Sequence, residues 1–233
     1  MKPDQKRRKS EGLLGKCDLT GSPYIGIFCA CNNDVALIPH DAPAKFEKTV
    51  RKYLEVEPIR ITIGGSRLIG ALVAMNSHGL ILSSLSLPEE INSIKKLLGG
   101  KLAITEIDAH FNAFGNTILS NDYGAIIHPR YSDEVLDVVS ETLGVKVVRG
   151  KIANMELVGS CGVANSRGAL LHPKSTPEER KLVSETLRVR VNIATANLGC
   201  PYLRSSLLVN DHGTLIGSMS TTVEIDRVFD TLC

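Results

Sequence analysis

The feature that most constrains this chain is a recurrence. Asn32, Asn76, Asn121, Asn165 and Asn210 stand 44, 45, 44 and 45 residues apart, each inside a similar block. The third copy, residues 114–129, reads as an apolar run, a polar Asn-Asp-Tyr-Gly turn and a second apolar run. A glycine precedes the asparagine by six positions in four copies (Gly26, Gly70, Gly115, Gly159), and Arg204 holds that place in the fifth. Self-similarity at this period signals a repeat architecture, in which units too small to fold alone bury their faces against one another.

Each unit follows one plan. An apolar strand is expected to run from the glycine into the asparagine, whose side chain closes an Asn-x-x-Gly turn with the glycine at positive φ. Val35 replaces that glycine in the first copy. A second apolar strand leads out, and both runs are continuous enough for both sheet faces to be covered. A helix start follows in four units: Ser86-Leu-Pro-Glu-Glu, Ser132-Asp-Glu-Val, Thr176-Pro-Glu-Glu and Thr221-Thr-Val-Glu. Of these, Thr176-x-x-Glu reads as a capping box with proline at the first helical position.

A third strand closes each unit at 58–63, 101–107, 145–148 and 189–193, but the fifth unit ends with its helix at Cys233. The segment 13–19 precedes Gly26 at the matching offset, so it is expected to supply the missing strand and shut a ring without sheet edges. The fold expected is a five-fold pseudosymmetric α/β propeller, pentein-like, spanning residues 12–233 as one domain, with helices outside.

Charge is unevenly placed. Residues 1–11 carry Lys2, Lys6, Arg7, Arg8 and Lys9 against Asp4 and Glu11, a net of +3, and read as a disordered basic tail. The remaining 222 residues hold 22 Lys and Arg against 23 Asp and Glu, too even a balance for a body that coats nucleic acid. No apolar run has the length of a membrane span or a secretion signal, which points to the cytoplasm. The six cysteines form no Cys-x-x-Cys pair and no zinc-ligand spacing, and are expected to be reduced and structural.

Chemistry is hard to find. Gly99-Gly-Lys101 lacks the remainder of a phosphate loop. His128 and His172 occupy the same repeat position before a proline, and symmetry of that kind marks structure more than catalysis. The acidic residues fall mostly in helix first turns, where the macrodipole accounts for them. No metal or cofactor is expected. Cys233 could be an exposed thiol, and five-blade α/β rings do host guanidine-modifying enzymes with a late cysteine nucleophile. That alternative rests on fold analogy alone.

Several blocks resemble the translation initiation factor 6 family. They are residues 64–70 (Gly-Gly-Ser-Arg-Leu-Ile-Gly), 114–124 with His128-Pro129, Leu157-Val-Gly-Ser160 with His172-Pro-Lys174, and Val209-Asn-Asp211 with Ser220-Thr-Thr222. The resemblance runs from about residue 12 to 233. It implies a five-blade ring without catalytic activity that binds the intersubunit face of the large ribosomal subunit and sterically blocks small-subunit joining. The partners implied are ribosomal protein uL14 and the sarcin–ricin loop region of the large rRNA, met by a monomer. Carried onto the matching positions, the docking residues expected are Arg67, Asn116, Gly115, Ser66, Gly26 and Ser160. Arg204 departs from the family pattern, and so does the basic tail.

Overall fold

In a computed structural model that describes residues 12–233, each repeat builds one three-stranded sheet. The basic tail lies outside the described residues. In blade three, Ile118–Ser120 pairs antiparallel with Gly124–Ile127, which pairs parallel with Lys146–Arg149. Blades one, two and four repeat this order with Ala30–Cys31, Val35–Pro39 and Glu57–Ile61; with Ala74–Met75, Gly79–Ser83 and Ala103–Ile107; and with Gly162–Ala164, Gly168–Leu171 and Arg190–Ile193. Blade five takes its outer strand from the other end of the chain. Leu13–Cys17 pairs parallel with Gly213–Gly217, from Leu13 opposite Gly213 to Cys17 opposite Gly217. The ring therefore shuts as its sequence required.

The first strands of the five hairpins touch their neighbours around the axis, and five eleven-residue helices lie outside. Four begin as expected, at Pro88, Asp133, Pro177 and Thr222. Blade one adds a fifth, Ala44–Leu54, whose first turn has no side-chain cap. Its signal was the four-residue spacing of Phe46, Val50 and Leu54, all buried. Each helix bridges two blades; Asp133–Leu143 of blade three packs on Gly79–Ser83 and Ala103–Ile107 of blade two. The apolar interior is accordingly five wedges between blades. One of them joins Val35, Leu37 and Ile61 of blade one to Leu80, Leu82, Ile94 and Leu98 of blade two.

Two local expectations are corrected. The first strand does not start at the conserved-spacing glycine. In four blades that position lies in a single helical turn (Ile25–Phe28, Ile69–Leu72, Phe114–Thr117, Leu203–Ser206), and pairing begins only after it. Nor does the turn glycine adopt positive φ: Gly79, Gly124, Gly168 and Gly213 are absent from the left-handed region. They are small because a neighbouring helix ends on them. A Cβ on Gly124 would sit well inside van der Waals contact with the Thr186 carbonyl.

The asparagines do more than close turns. Each Oδ1 accepts from the N–H groups two and three residues on, as Asn121 does from Tyr123 and Gly124 at 3.0 and 3.1 Å. Each amide N–H₂ then reaches the next blade. Asn32 donates to the Asn76 carbonyl, Asn76 to Asn121, Asn121 to Asn165, Asn165 to Asn210 and Asn210 to Asn32, at 2.8 to 3.2 Å. This cycle belts one end of the axis. The second amide hydrogen of four of them caps the helix carbonyl of Leu143, Leu187, Leu232 or Leu54. In those four the buried amide thus has both donors and its acceptor engaged, which is what makes it tolerable in a core.

Candidate functional site

The two ends of the ring differ. At the asparagine end Asn33 bridges the carboxylates of Asp122 and Asp211 at 3.1 and 2.8 Å, leaving little space on the axis. At the opposite end, where the helical turns meet, the axis opens into a cup of about 730 Å³. Gly26, Asn116 and Ser160 all line it, so three of the six expected docking residues converge there.

At the four glycine positions the turns pack so closely that a Cβ has no room. A Cβ on Gly70 would strike the Gly26 carbonyl, one on Gly115 the Gly70 carbonyl, and one on Gly159 the Gly115 carbonyl. Gly26 and Gly115 are buried, and the close approach they permit is to neighbouring blades. Asn116 is half-buried, its backbone tied to blade four by the Ser160 N–H donating to its carbonyl at 3.1 Å. In blade five Arg204 occupies the glycine position, and residues of blades four and five dominate the cup wall: Met155, Glu156, Leu157, Cys200 and Tyr202.

Arg67 and Ser66 stand beside the cup, on the loop entering blade two. Arg67 reaches back to blade one, with its guanidinium 5.0 Å from the Phe28 ring centre, 3.5 Å from Asp41 and 3.4 Å from the Thr20 hydroxyl. Its Nε is buried and lacks an acceptor among the described residues. The Ser66 hydroxyl accepts from the Leu68 N–H, shaping the same loop.

Sequence reasoning missed a further ring of residues. Two positions before each glycine or its replacement stand Tyr24, Leu68, Ala113, Leu157 and Tyr202. Four are exposed, from 37% for Tyr24 to 48% for Leu157, although large and apolar. Their periodicity was present in the sequence, but periodicity alone cannot tell an exposed ring from a buried one.

Sequence reasoning also missed what fixes the loops behind this ring. The Glu90 carboxylate accepts from the Gly64 and Gly65 N–H groups at 2.6 and 2.9 Å while capping its own helix through the Leu87 N–H. Glu179 holds Ala153 and Asn154 in the same way, and Glu224 holds Leu198 and Gly199. The residues so held sit at positive φ (Gly64, Gly65, Ala153, Asn154, Leu198, Gly199), presenting consecutive N–H groups to one oxygen pair. Burial pushes Glu90 up, but bonds from Thr62, Leu87, Gly65 and Gly64 outweigh it and hold the carboxyl below its ordinary value. The loop's anchoring is therefore complete above the ordinary glutamate range and fails as pH falls through the depressed value. Glu90→Gln should speed amide exchange at Gly64 and Gly65 about tenfold with little change in Tm, and unchanged exchange there would refute the anchoring role.

The titrating groups suit structure. Burial lowers His128, which stacks on Phe111 and accepts from the Arg130 N–H through Nδ1, a bond repeated by His172 and Lys174. A neutral His128 makes its 3.4 Å approach to Glu156 a weak pairing; Arg130 at 3.0 Å is the stronger partner. Cys233 is half-buried, with its thiol raised by burial and directed at the Thr214 hydroxyl. All six cysteines are free. Among the described residues no group of three or more His, Cys, Asp or Glu is placed to hold a metal, and no helix is long and apolar enough to cross a membrane.

A family model described as the eIF-6 family matches residues 14–231. The translation initiation factor 6 of Pyrococcus furiosus is 41% identical over 222 residues, covering 94% of this chain and 98% of that one. The protein of the same name from Haloquadratum walsbyi is 35% identical over 217 residues, covering 93% and 95%. Among solved structures, the N-terminal domain of ArgZ, an arginine dihydrolase of cyanobacteria, aligns with 81% of this chain and 75% of its own at 10% identity and TM-score 0.45, a likeness too low to build upon.

Proposed function

Since the chain belongs to the eIF-6 family, we propose that it is a translation initiation factor that binds the large ribosomal subunit and blocks small-subunit joining by occupying its face. The reading includes a non-catalytic, cytoplasmic monomer that docks on protein uL14 beside the sarcin–ricin loop. What supports a docking face at the cup end is the exposed apolar ring of Tyr24, Leu68, Leu157 and Tyr202, the last three on loops anchored by Glu90, Glu179 and Glu224. Large apolar side chains gathered on one rigid rim are the composition of an interface core. Arg67, Ser66, Asn116, Ser160 and the cup-lining Gly26 belong to that face, with Gly115 supporting it from behind.

The test is co-sedimentation with purified large subunits, together with the yield of joined ribosomes. Binding should fall with salt along a log–log slope shallower than about −5, because few phosphates are neutralised by a near-neutral body. Leu157→Asp should weaken binding at least about tenfold, and Arg67→Ala by several-fold, without lowering Tm. Failure of the unaltered protein to sediment with subunits at physiological salt would end the reading. Release of ornithine or citrulline from arginine, lost in Cys233→Ala, would favour the guanidine-modifying alternative instead.

A further inference from the structure

The cup holds a charge that the docking reading does not use. Arg204 replaces the glycine of the other blades, and its side chain crosses the axis from blade five to blade two. There Nη2 donates to the Gly70 and Val73 carbonyls at 3.2 and 3.4 Å. Those carbonyls orient the guanidinium but do not neutralise it. Among the described residues no carboxylate lies within ion-pair distance of Arg204, and its Nε and Nη1 have no acceptor. Its lowered pKa, set first by burial and opposed only by Cys31, is what a cation without a carboxylate neighbour should have. The Cys31 thiol is itself pushed up to about 12 by burial, so it supplies no anion.

Around this cation the wall is apolar: Ile27, Ala71, Met155 and Leu157, with Tyr24 and Tyr202 at the rim. Glu156 also lines the cup, but its charge is matched by Arg130 at 3.0 Å and Lys151 at 3.6 Å. The volume falls within the range of small-ligand sites. A half-buried guanidinium with open donors at the floor of an apolar cup is complementary to one kind of guest. We propose that the cup binds an apolar group carrying a carboxylate, whose oxygens pair with Arg204 while its body displaces water from the wall. Burying a cation beside apolar surface is costly unless it is paired, so the guest's charge contributes as much to recognition as its body does.

Two sources present this chemistry, a free amphipathic acid and the C-terminal end of an apolar peptide. Octanoate is to be compared with 1-octanol, and a short Leu-rich peptide with its C-terminal amide, by following the backbone amides of Ile27, Ala71 and Ser160 in NMR titrations. Octanoate should bind at least about tenfold tighter than octanol if the free acid is the guest, and the acid peptide should exceed its amide similarly if a chain end is. Arg204→Gly restores the residue of the other blades and should fold; it should abolish the preference, while Arg204→Lys retains part of it. Equal affinity within both pairs, a preference that survives Arg204→Gly, or no saturable binding below about 10 mM of any probe would overturn the proposal.

Discussion

Gly115→Ala should cost the ring about 3 kcal/mol or more, the upper end of overpacking, read as a fall in the urea midpoint at unchanged slope. A single methyl at Gly115 would collide with the carbonyl of Gly70 and crowd that of Val73, both backbone. Side chains can move aside, but the Gly70 carbonyl belongs to a turn that is itself wedged against Gly26. Relief at one seam therefore has to be taken up at the next. Gly65→Ala supplies the contrast: nothing lies near its Cβ, only its positive φ resists, and the cost should stay near about 1 kcal/mol. If the two substitutions destabilise equally, the turns are not packed as described.

Asn121→Asp should be comparably severe at neutral pH, at about 3–5 kcal/mol, although it changes a single atom type. Asp keeps the oxygen that accepts from Tyr123 and Gly124 but loses both donors, to the Asn165 and Leu187 carbonyls. A buried carboxylate would then face two carbonyl oxygens. Because that environment raises the introduced group's pKa, the variant should regain stability as pH falls and the acid protonates, and lose it again as pH rises. Thermal melts between about pH 4 and pH 8 decide the matter, since a variant that only weakens towards acid would contradict the amide belt.

These two predictions also mark how far the sequence can be read. The 44- and 45-residue spacing of the asparagines disclosed the ring, because a period is visible without knowing any contact. The Thr176-x-x-Glu and Thr221-x-x-Glu boxes disclosed helix starts, because a cap is a local transaction between neighbours. What stayed hidden was long-range. That Asn121 donates to Asn165, or that Glu179 also grips Ala153, depends on elements brought together only by closure. The turn glycines show the same limit: glycine at position 124 fits a left-handed turn or an approaching helix end equally well, and only the fold chose the second. Likewise Arg67, Asn116 and Ser160 were singled out only through the family resemblance, and the exposed ring of Tyr24, Leu68, Leu157 and Tyr202 was not legible, since apolar residues are ordinarily read as interior.

The pairing of Leu13–Cys17 with Gly213–Gly217 has a consequence for how such a molecule is born. Leu13–Cys17 is made before its partner strand and must wait for residues 200 positions further along the chain. Until then the first four blades can stack only as an open arc with unsatisfied edges, a species exposed to wrong partners. Pairing of these two strands is a clasp that joins the ends of the arc. Whole-molecule cooperativity follows, because opening that clasp returns every seam to the arc.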